Sequence, residues 1–273
     1  MKSSGFEVML TGTPIKTKNL QWDVNLNWGT NNTKCAALDP TVKRFTIGSI
    51  RMGDVVVDEG GKYGDIISKA FKRNNDGKIL IDDNGFPMVE TDKKIGNMMP
   101  DWTGSIGTTL RWKDIVFSGL IDIKQGGDII SITDNYASQS GNSKRSLIGR
   151  DGFVVDGIVE STGVQNAKPV TAQQYYETIA GPTGVGEAFM YDASYAKLRE
   201  LSLGYMIPAK WLKSTTIKSI KLSLVGRDLL FIYKNTPGTN PEGSFSRSDY
   251  AQAFELSSMP PTRNFGFNIN VKF

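Results

Sequence analysis

Apolar and polar residues alternate strictly in several segments of the chain. Near the C-terminus, Asn, Gly and Lys alternate with the apolar residues Phe265, Phe267, Ile269, Val271 and Phe273. Because successive side chains of a β-strand point to opposite faces, this segment predicts a strand with one apolar and one polar face. Residues 20–29 repeat the pattern, with Trp22, Val24, Leu26 and Trp28 on the apolar side. A period of two residues, rather than 3.6, predicts an all-β protein.

The same alternation along the whole chain predicts seven strands. They cover residues 5–12, 20–29, 102–111, 114–125, 194–207, 217–232 and 263–273. In the strand at 114–125 the polar face is less clean, because Val116 and Leu120 fall on it. In the strand at 217–232 the polar face contains Lys221, Ser223 and Arg227. These polar faces suit contact with water.

Short and long connections alternate between the predicted strands. The first, third and fifth connections are turn-like, whereas the other three, residues 30–101, 126–193 and 233–262, are long, polar and rich in glycine. In an up-and-down meander every second connection lies at the same end. Outer-membrane barrels have this arrangement, with short periplasmic turns and long extracellular loops. Within the loops, a small hairpin is predicted at 79–90 and a short helix after Thr171.

Two all-β architectures accommodate this pattern. In a transmembrane β-barrel the apolar face meets lipid and the polar face meets a wet lumen, and closure gives every backbone group a partner. In a soluble or surface-anchored β-sandwich that binds glycans, the apolar faces pack against each other. Strands of ~9–11 residues, the length that spans a bilayer, favour the barrel. Aromatic residues near strand ends, as in membrane-interface belts, also favour it: Trp22, Trp28, Trp102, Trp112, Tyr205, Trp211 and Phe273.

The composition argues against an enzyme. The chain has no histidine, and Cys35 is its one cysteine. A Ser-His-Asp or Cys-His arrangement, an internal disulfide and a Cys-based zinc cluster are therefore excluded. The 32 basic and 28 acidic residues give a net charge of +4 and are scattered along the chain, so no nucleic-acid partner is predicted. We expect no catalytic residues, no metal site and no cofactor.

The loops contain polar and aromatic candidates for binding. The segment from Asn74 to Asp83 departs from a calcium loop, because Lys72 would occupy the first ligand position of an EF-hand with Gly77 at its sixth. Adjacent loop carboxylates at 58–59 and 82–83 point apart in an extended chain, so we interpret them as loop charge. Tyrosines that suit sugar stacking or contact with a lid protein, although loop packing is favoured, are Tyr136, Tyr175, Tyr176, Tyr191 and Tyr250. Side chains that we expect on a lumenal wall are Lys221, Arg227 and Lys272.

Several motifs, in order along the chain, resemble SusC/RagA-like TonB-dependent transporters. The strongest is DASYAKLRELSLGY at residues 192–205, followed by Ile-Pro at 207–208 and LSLVGRDL at 222–229. PGTNPE at 237–242 and PPTRNFGFNINVKF at 260–273 come next. Earlier matches are IGN at 95–97, PD at 100–101, GGDI at 126–129 and DGK at 76–78. The resemblance covers most of the chain.

The resemblance implies a transmembrane barrel of about 22 strands around an N-terminal plug, in the Gram-negative outer membrane. Transporters of this type import glycans or peptides, with energy from the TonB complex, beneath a SusD-like surface lipoprotein. The sequence contains no signal peptide, TonB box or plug, so we expect the C-terminal part of a barrel, which by itself does not transport. Its final strand resembles the signal read by the barrel assembly machinery, carried by Phe265, Phe267, Ile269, Val271 and Phe273.

Overall fold

The computed structural model describes the whole chain, Met1–Phe273. Strands dominate it, with two short helices, α1 (Ile132–Gln139) and α2 (Ala172–Ile179). In chain order the strands are β1 (Lys2–Lys16), β2 (Leu20–Lys34), β3 (Arg44–Ile50), β4 (Gly53–Asp58), β5 (Asp65–Phe71), β6 (Leu80–Ile81), β7 (Val89–Asn97), β8 (Trp102–Trp112), β9 (Ile115–Gln125), β10 (Asp128–Ser131), β11 (Phe153–Val154), β12 (Ile158–Val159), β13 (Pro169–Val170), β14 (Met190–Asp192), β15 (Tyr195–Met206), β16 (Ser219–Lys234), β17 (Phe254–Glu255) and β18 (Asn264–Lys272). Neither helix is long and apolar enough to cross a membrane.

Seven long strands form one antiparallel sheet in the order β1-β2-β8-β9-β15-β16-β18. Every strand pairs with its neighbour in the meander, and β1 and β18 form the two edges. All three short connections lie at one end of this sheet, and all three long connections lie at the other. This is the up-and-down arrangement that the alternating connection lengths predicted.

The register aligns the apolar side chains into one continuous face. Leu26 of β2 lies opposite Ile106 of β8, which in turn lies opposite Ile121 of β9. Farther along the same face, Leu224 of β16 lies opposite Phe267 of β18. These side chains are not buried against a second sheet: Leu224 is 67% exposed and Phe267 is 79% exposed. The two-sheet sandwich considered above is therefore not the architecture of this chain.

The three long connections fold together into one compact unit, residues 35–101, 126–194 and 235–263, which we call the loop body. Strands β3, β4, β5 and β7 form a four-stranded sheet within the first connection. Strand β10 of the second connection pairs with β17 of the third, and β12 of the second pairs with β6 of the first. Its main core combines residues of all three connections, including Ile66, Ile130, Phe189 and Phe254. The buried core of the protein therefore lies in the loop body and not in the large sheet.

The helix predicted after Thr171 is present as α2. Thr171 caps it in a capping box, in which the Thr171 side chain accepts from the Gln174 backbone N–H and the Gln174 side chain accepts from the Thr171 backbone N–H. The predicted hairpin region at 79–90 contains β6, a tight turn after Asp82, and a bridge between Ile81 and Pro87. Strands β3 to β5 and α1 were not predicted, because their burial comes from contacts between distant connections.

The first two strands extend beyond the predicted segments 5–12 and 20–29. They run over Lys2–Lys16 and Leu20–Lys34. The extension is polar: Ser3 Oγ donates to Asn31 Oδ1 at 2.7 Å, so side-chain hydrogen bonds accompany the backbone ladder where the apolar alternation has ended. Strand β1 also continues past Pro14, where the register shifts between Gly12 and Ile15. Proline is tolerated there because β1 is an edge strand with an irregular pairing.

Candidate functional site

Five charged side chains come together on the polar face of the large sheet, at the end that contacts the loop body. Asp122 lies on β9, Lys197 and Arg199 lie on β15, Asp228 lies on β16, and Glu242 belongs to the third long connection. We call these five residues the charged cluster. It joins three adjacent strands of the sheet to a loop.

Lys197 is the buried centre of the charged cluster. Its side chain is 4% exposed, and its Nζ lies 2.8 Å from Asp228 Oδ1 and 2.7 Å from Glu242 Oε2. The ammonium group also lies 5.1 Å from the centre of the Phe231 ring. A buried cation is stable only when it is paired, and two carboxylates and an aromatic face together supply that pairing.

Arg199 links the carboxylates of three different elements. Its Nη2 lies 2.8 Å from Asp122 Oδ2, and its Nη1 lies 3.2 Å from Asp228 Oδ1 and 3.1 Å from Glu242 Oε2. Arg199 Nη2 also contacts Glu242 Oε1. The planar guanidinium group presents five N–H donors in a fixed fork, which suits this multidentate role better than an ammonium group does.

A pair of backbone irregularities places these side chains on one face. The pairing of β15 with both neighbours shifts between Leu198 and Glu200, so Arg199 has no counterpart in either strand. In β16, the residue facing this bulge is Asp228, whose φ angle is 53°. Because of the bulge, residues 197, 199 and 200 all reach the polar face, whereas Leu198 and Leu201 stay on the apolar face. Bulges commonly re-aim side chains in this way.

The electrostatics of the charged cluster favour the ionised form of Glu242. Burial acts to raise the pKa of the Glu242 carboxyl, but hydrogen bonds from Arg199 and Lys197 outweigh it and hold that pKa below its ordinary value. Tyr195 adds a neutral donor, because its hydroxyl lies 3.0 Å from Glu242 Oε1. Each of the three carboxylates contacts at least one of the two cations. The cluster presents charged, hydrogen-bonding groups, and it contains no nucleophile paired with a base.

The side chains expected on the lumenal wall do lie on the polar face. Lys221 is placed opposite Asn270, and Lys272 opposite Ser219. Arg227 pairs with Glu200 across β15 and β16, with Nε and Oε2 2.9 Å apart. The Arg227 side chain is 64% exposed, whereas Lys197 and Arg199, the cations of the charged cluster, are 4% and 26% exposed. The charged cluster itself was not predicted, although the unusual run Lys-Leu-Arg-Glu at 197–200, which breaks the alternation, is a signal for it.

The loop candidates have mainly structural contacts. Tyr176 belongs to the main core and Tyr175 and Tyr250 pack against it, while Tyr191 donates to Asp134 Oδ2 at 2.5 Å. Tyr136 is exposed. In the segment from Asn74 to Asp83, carboxamide and carboxylate oxygens accept backbone N–H groups of tight turns. Arg44 contacts Asp58 and lowers the pKa of its carboxyl, mainly through a side-chain hydrogen bond. These contacts stabilise turns and loop packing.

The C-terminal segment forms the edge strand β18, which pairs only with β16. Its apolar residues lie on the exposed apolar face, and Phe265 is 78% exposed. The residues predicted to carry the assembly signal, all on this exposed face or at its end, are Phe265, Phe267, Ile269, Val271 and Phe273.

Comparison with known proteins relates the whole chain to one class of transporter. No family model matches the chain. TonB-dependent receptor P3 of Formosa agariphila is 22% identical to this chain over an alignment 303 residues long. The alignment covers 100% of this chain and 29% of the receptor. TonB-dependent receptor P26 of the same organism is 22% identical over 309 residues, with the same coverage. The chain thus spans less than a third of the length of these relatives.

Solved structures decide the architecture. The RagAB peptide importer in its "closed-closed" state matches with a TM-score of 0.67 at 15% identity, over 99% of this chain and 29% of that chain. The "open-open" state matches with a TM-score of 0.68, over 99% of this chain and 28% of that chain. The fold is that of a SusC/RagA-like TonB-dependent transporter barrel.

The two faces of the sheet follow from this architecture. In a TonB-dependent barrel of this fold, an apolar sheet face meets lipid and a polar face meets the lumen, and the sheet of this chain has one face of each kind. Its long and short connections lie at opposite ends of the sheet, as extracellular loops and periplasmic turns do in such barrels. In this chain the SusC/RagA-like sheet is open, with β1 and β18 at its edges. The charged cluster lies on the polar face of this sheet, next to the loop body.

Proposed function

We propose that this chain forms part of the wall and extracellular loops of an outer-membrane active transporter that imports glycans or peptides. The observation that carries the proposal is the seven-stranded sheet, apolar on one face and charged on the other, with a folded loop body at one end only. A lipid-facing outer surface and a wet inner surface allow a polar solute to pass through a barrel. The relatives are named TonB-dependent receptors, which supports energy supply by the TonB complex.

The charged cluster has a structural role in this proposal. It fixes the third extracellular loop to the lumenal wall and gives the passage beneath the loop body a charged, hydrogen-bonding surface. Both peptides and glycans offer hydrogen-bonding groups to such a surface, so the wall favours neither substrate class. The similar RagAB structures are those of a peptide importer, which keeps a peptide among the candidate substrates.

The loop body is the part of the protein suited to an extracellular partner. A SusD-like surface lipoprotein covering the lumen would rest on this body, since it is the only large folded unit at that end of the sheet. Outer-membrane lipid contacts the apolar face. The barrel assembly machinery would act on the final strand, whose exposed aromatic residues end at Phe273.

Uptake by intact cells tests the proposal. We expect cells that carry the full-length transporter to accumulate a labelled peptide or oligosaccharide from a mixed pool, and to lose that accumulation when either the transporter or TonB is removed. A barrel pore that works without energy would continue to take up solute after loss of TonB, which contradicts the proposal. Membrane fractionation is the companion measurement: extraction in detergent-free buffer as a monodisperse protein supports a soluble or surface-anchored glycan-binding protein instead.

A further inference from the structure

Three lysines lie side by side at the end of the large sheet that carries the long connections. Lys2 of β1 is the direct partner of Lys34, the last residue of β2. On its other edge, Lys34 is bridged to Lys62 of the loop body in an antiparallel pair. Directly opposite residues of antiparallel strands project their side chains to the same face, so the three ammonium groups form one row. We call Lys2, Lys34 and Lys62 the lysine row.

The lysine row has no anionic partner within the protein. All three residues are exposed, and none of them takes part in an ion pair. Of the two carboxylates shortly before Lys62 in the chain, Asp58 pairs with Arg44, and Glu59 forms no ion pair. Like charges directly opposite each other in a sheet are destabilising. An anion bound across the row would remove that repulsion, so the arrangement indicates an external ligand of negative charge.

The lysine row stands just beyond the exposed apolar face. Alternate residues of β1, from Leu10 through Phe6 to Lys2, lie on the apolar side of the sheet. Phe6 is 62% exposed, and its ring centre lies 6.3 Å from that of Trp28. Exposed aromatic rings favour the boundary between lipid tails and headgroups. Four residues of a strand tilted by ~45° rise about 9 Å, at ~3.3 Å per residue, which takes the lysine row from that boundary into the headgroup layer.

The position and the charge of the lysine row identify the ligand class. A lysine ammonium group is a compact point charge that binds phosphate oxygens. Polar lipids carry phosphate in the headgroup layer, and a flexible lysine stem can extend along apolar surface to reach it. We infer that the lysine row binds the phosphate group of an outer-leaflet lipid and holds that lipid against the apolar face below. The inference rests on the proposed function for the orientation of the sheet in the membrane.

Lipid titration of the full-length protein in a non-ionic detergent, followed by native mass spectrometry, tests the inference. The probes are phosphorylated lipid A, the same lipid A after enzymatic removal of its phosphate, and inorganic phosphate. We expect the phosphorylated lipid to bind more tightly than the dephosphorylated lipid by about tenfold or more, and inorganic phosphate not to bind. Equal binding of the two lipids shows contact through acyl chains alone and overturns the inference. Inorganic phosphate that binds as tightly as the phosphorylated lipid shows a site for soluble phosphate and also overturns it.

Single substitutions then place the site. Lys34→Gln removes the central charge of the lysine row and should weaken binding of the phosphorylated lipid by about fivefold, the share of one lysine near a charged membrane surface. Lys18→Gln is the matched control, because Lys18 is an exposed lysine in the short connection at the opposite end of the sheet. Equal lipid binding by the two variants shows that the phosphate binds elsewhere and refutes the site.

Thermal unfolding separates a binding role of the lysine row from a structural one. Without lipid, Lys34→Gln should leave the unfolding temperature unchanged or raised, because the substitution relieves repulsion from Lys2 and Lys62. Phosphorylated lipid A should raise the unfolding temperature of the unmodified protein more than that of the variant, since a ligand stabilises the folded state that binds it. A variant that unfolds at a lower temperature without lipid, and gains as much from lipid as the unmodified protein, contradicts the site.

Lipid binding by the purified protein is measured independently of uptake by cells. A protein that distinguishes the two lipids but supports no TonB-dependent uptake contradicts the transport proposal and leaves the lipid site in place. A protein that takes up solute but binds the two lipids equally contradicts the lipid site and leaves transport in place.

Discussion

Lys197 Nζ lies 2.7 Å from Glu242 Oε2, although the two residues are separated by 45 positions in the chain. Lys197 belongs to β15 of the large sheet, and Glu242 belongs to the loop body. Their ion pair, shared with Arg199 and Asp228, is therefore a direct tie between the polar face of the sheet and the loop body. Because the Lys197 side chain is buried, removing one of its anionic partners should cost more stability than breaking an exposed surface pair.

Glu242→Gln should loosen the third extracellular loop. The change removes one of two anionic partners of a buried lysine, and we expect the protein to lose about 1–3 kcal/mol of stability. Hydrogen–deuterium exchange over residues 235–262 should become faster, while exchange in β15 changes little. Glu200→Gln is the matched control, since its pair with Arg227 is exposed and should be worth less than about 1 kcal/mol. Equal effects of the two substitutions would contradict the tie.

Acid should weaken the same attachment. The pKa of Glu242 in the folded protein is lower than its ordinary value of 4.5, so folding favours the ionised carboxylate. A group of this kind contributes stability that is fully present above pH 4.5 and is lost as the pH falls through the folded-state pKa. Exchange or proteolysis of the third loop, measured from pH 7 downward, should therefore stay constant to about pH 5 and then rise. The Glu242→Gln variant should lack most of that rise.

Neighbouring residues on β18 should respond oppositely to a new charge. Phe267 lies on the apolar face, which we propose meets lipid, and Asn268 lies on the polar face opposite Ser223. Phe267→Arg should cost about 2–4 kcal/mol if it lies near the bilayer midplane, and should reduce the amount of folded protein in the outer membrane. Asn268→Arg should leave that amount nearly unchanged. Heat-modifiable mobility on gels and urea unfolding in lipid are suitable measurements. If Asn268→Arg lowered the amount of folded protein more than Phe267→Arg did, lipid would contact the polar face and not the apolar one.

The loop body should unfold separately from the barrel wall. Phe254 is fully buried and packs within the core that joins all three long connections. Phe254→Ala should destabilise the loop body by about 3–5 kcal/mol, in line with large-to-small changes in a packed core. Proteolysis within residues 35–101 and 126–194 should accelerate, whereas the seven long strands stay protected. Protection of the loops equal to that of the unmodified protein would show that they do not depend on a shared core.

The last aromatic residue should matter for assembly more than for stability. Phe273→Ser should lower the level of barrel inserted into the outer membrane several-fold, because the barrel assembly machinery is expected to read the end of the final strand. Once inserted, the variant should unfold at nearly the same urea concentration as the unmodified protein. Lys272→Ser is the control, since Lys272 faces the lumen and should have little effect on insertion. If the Phe273→Ser variant were inserted normally, Phe273 would not be part of the barrel-assembly signal.

Local pattern accounts for the large sheet. Alternation places Phe265, Phe267 and Ile269 on one face wherever the strand pairs, because a strand has a two-residue period regardless of its neighbours. The alternation of short and long connections likewise fixes an up-and-down meander with all its loops at one end. Both features are local, so they could be predicted before any contact between distant residues was known, and the family resemblance agreed with them.

Contacts between distant residues account for the remaining features. The polar, glycine-rich connections gave little sign of a folded loop body, because its core forms only when Ile66, Ile130 and Phe254 meet from three separate connections. The charged cluster depends on a bulge at Arg199 that shifts the register, which brings residues from β9, β15, β16 and a loop within hydrogen-bonding distance. A strand pattern specifies which face a side chain takes. The partner that a side chain contacts on that face is determined only by the assembled sheet and loops. The contact requires residues that are distant in the sequence and come together on folding.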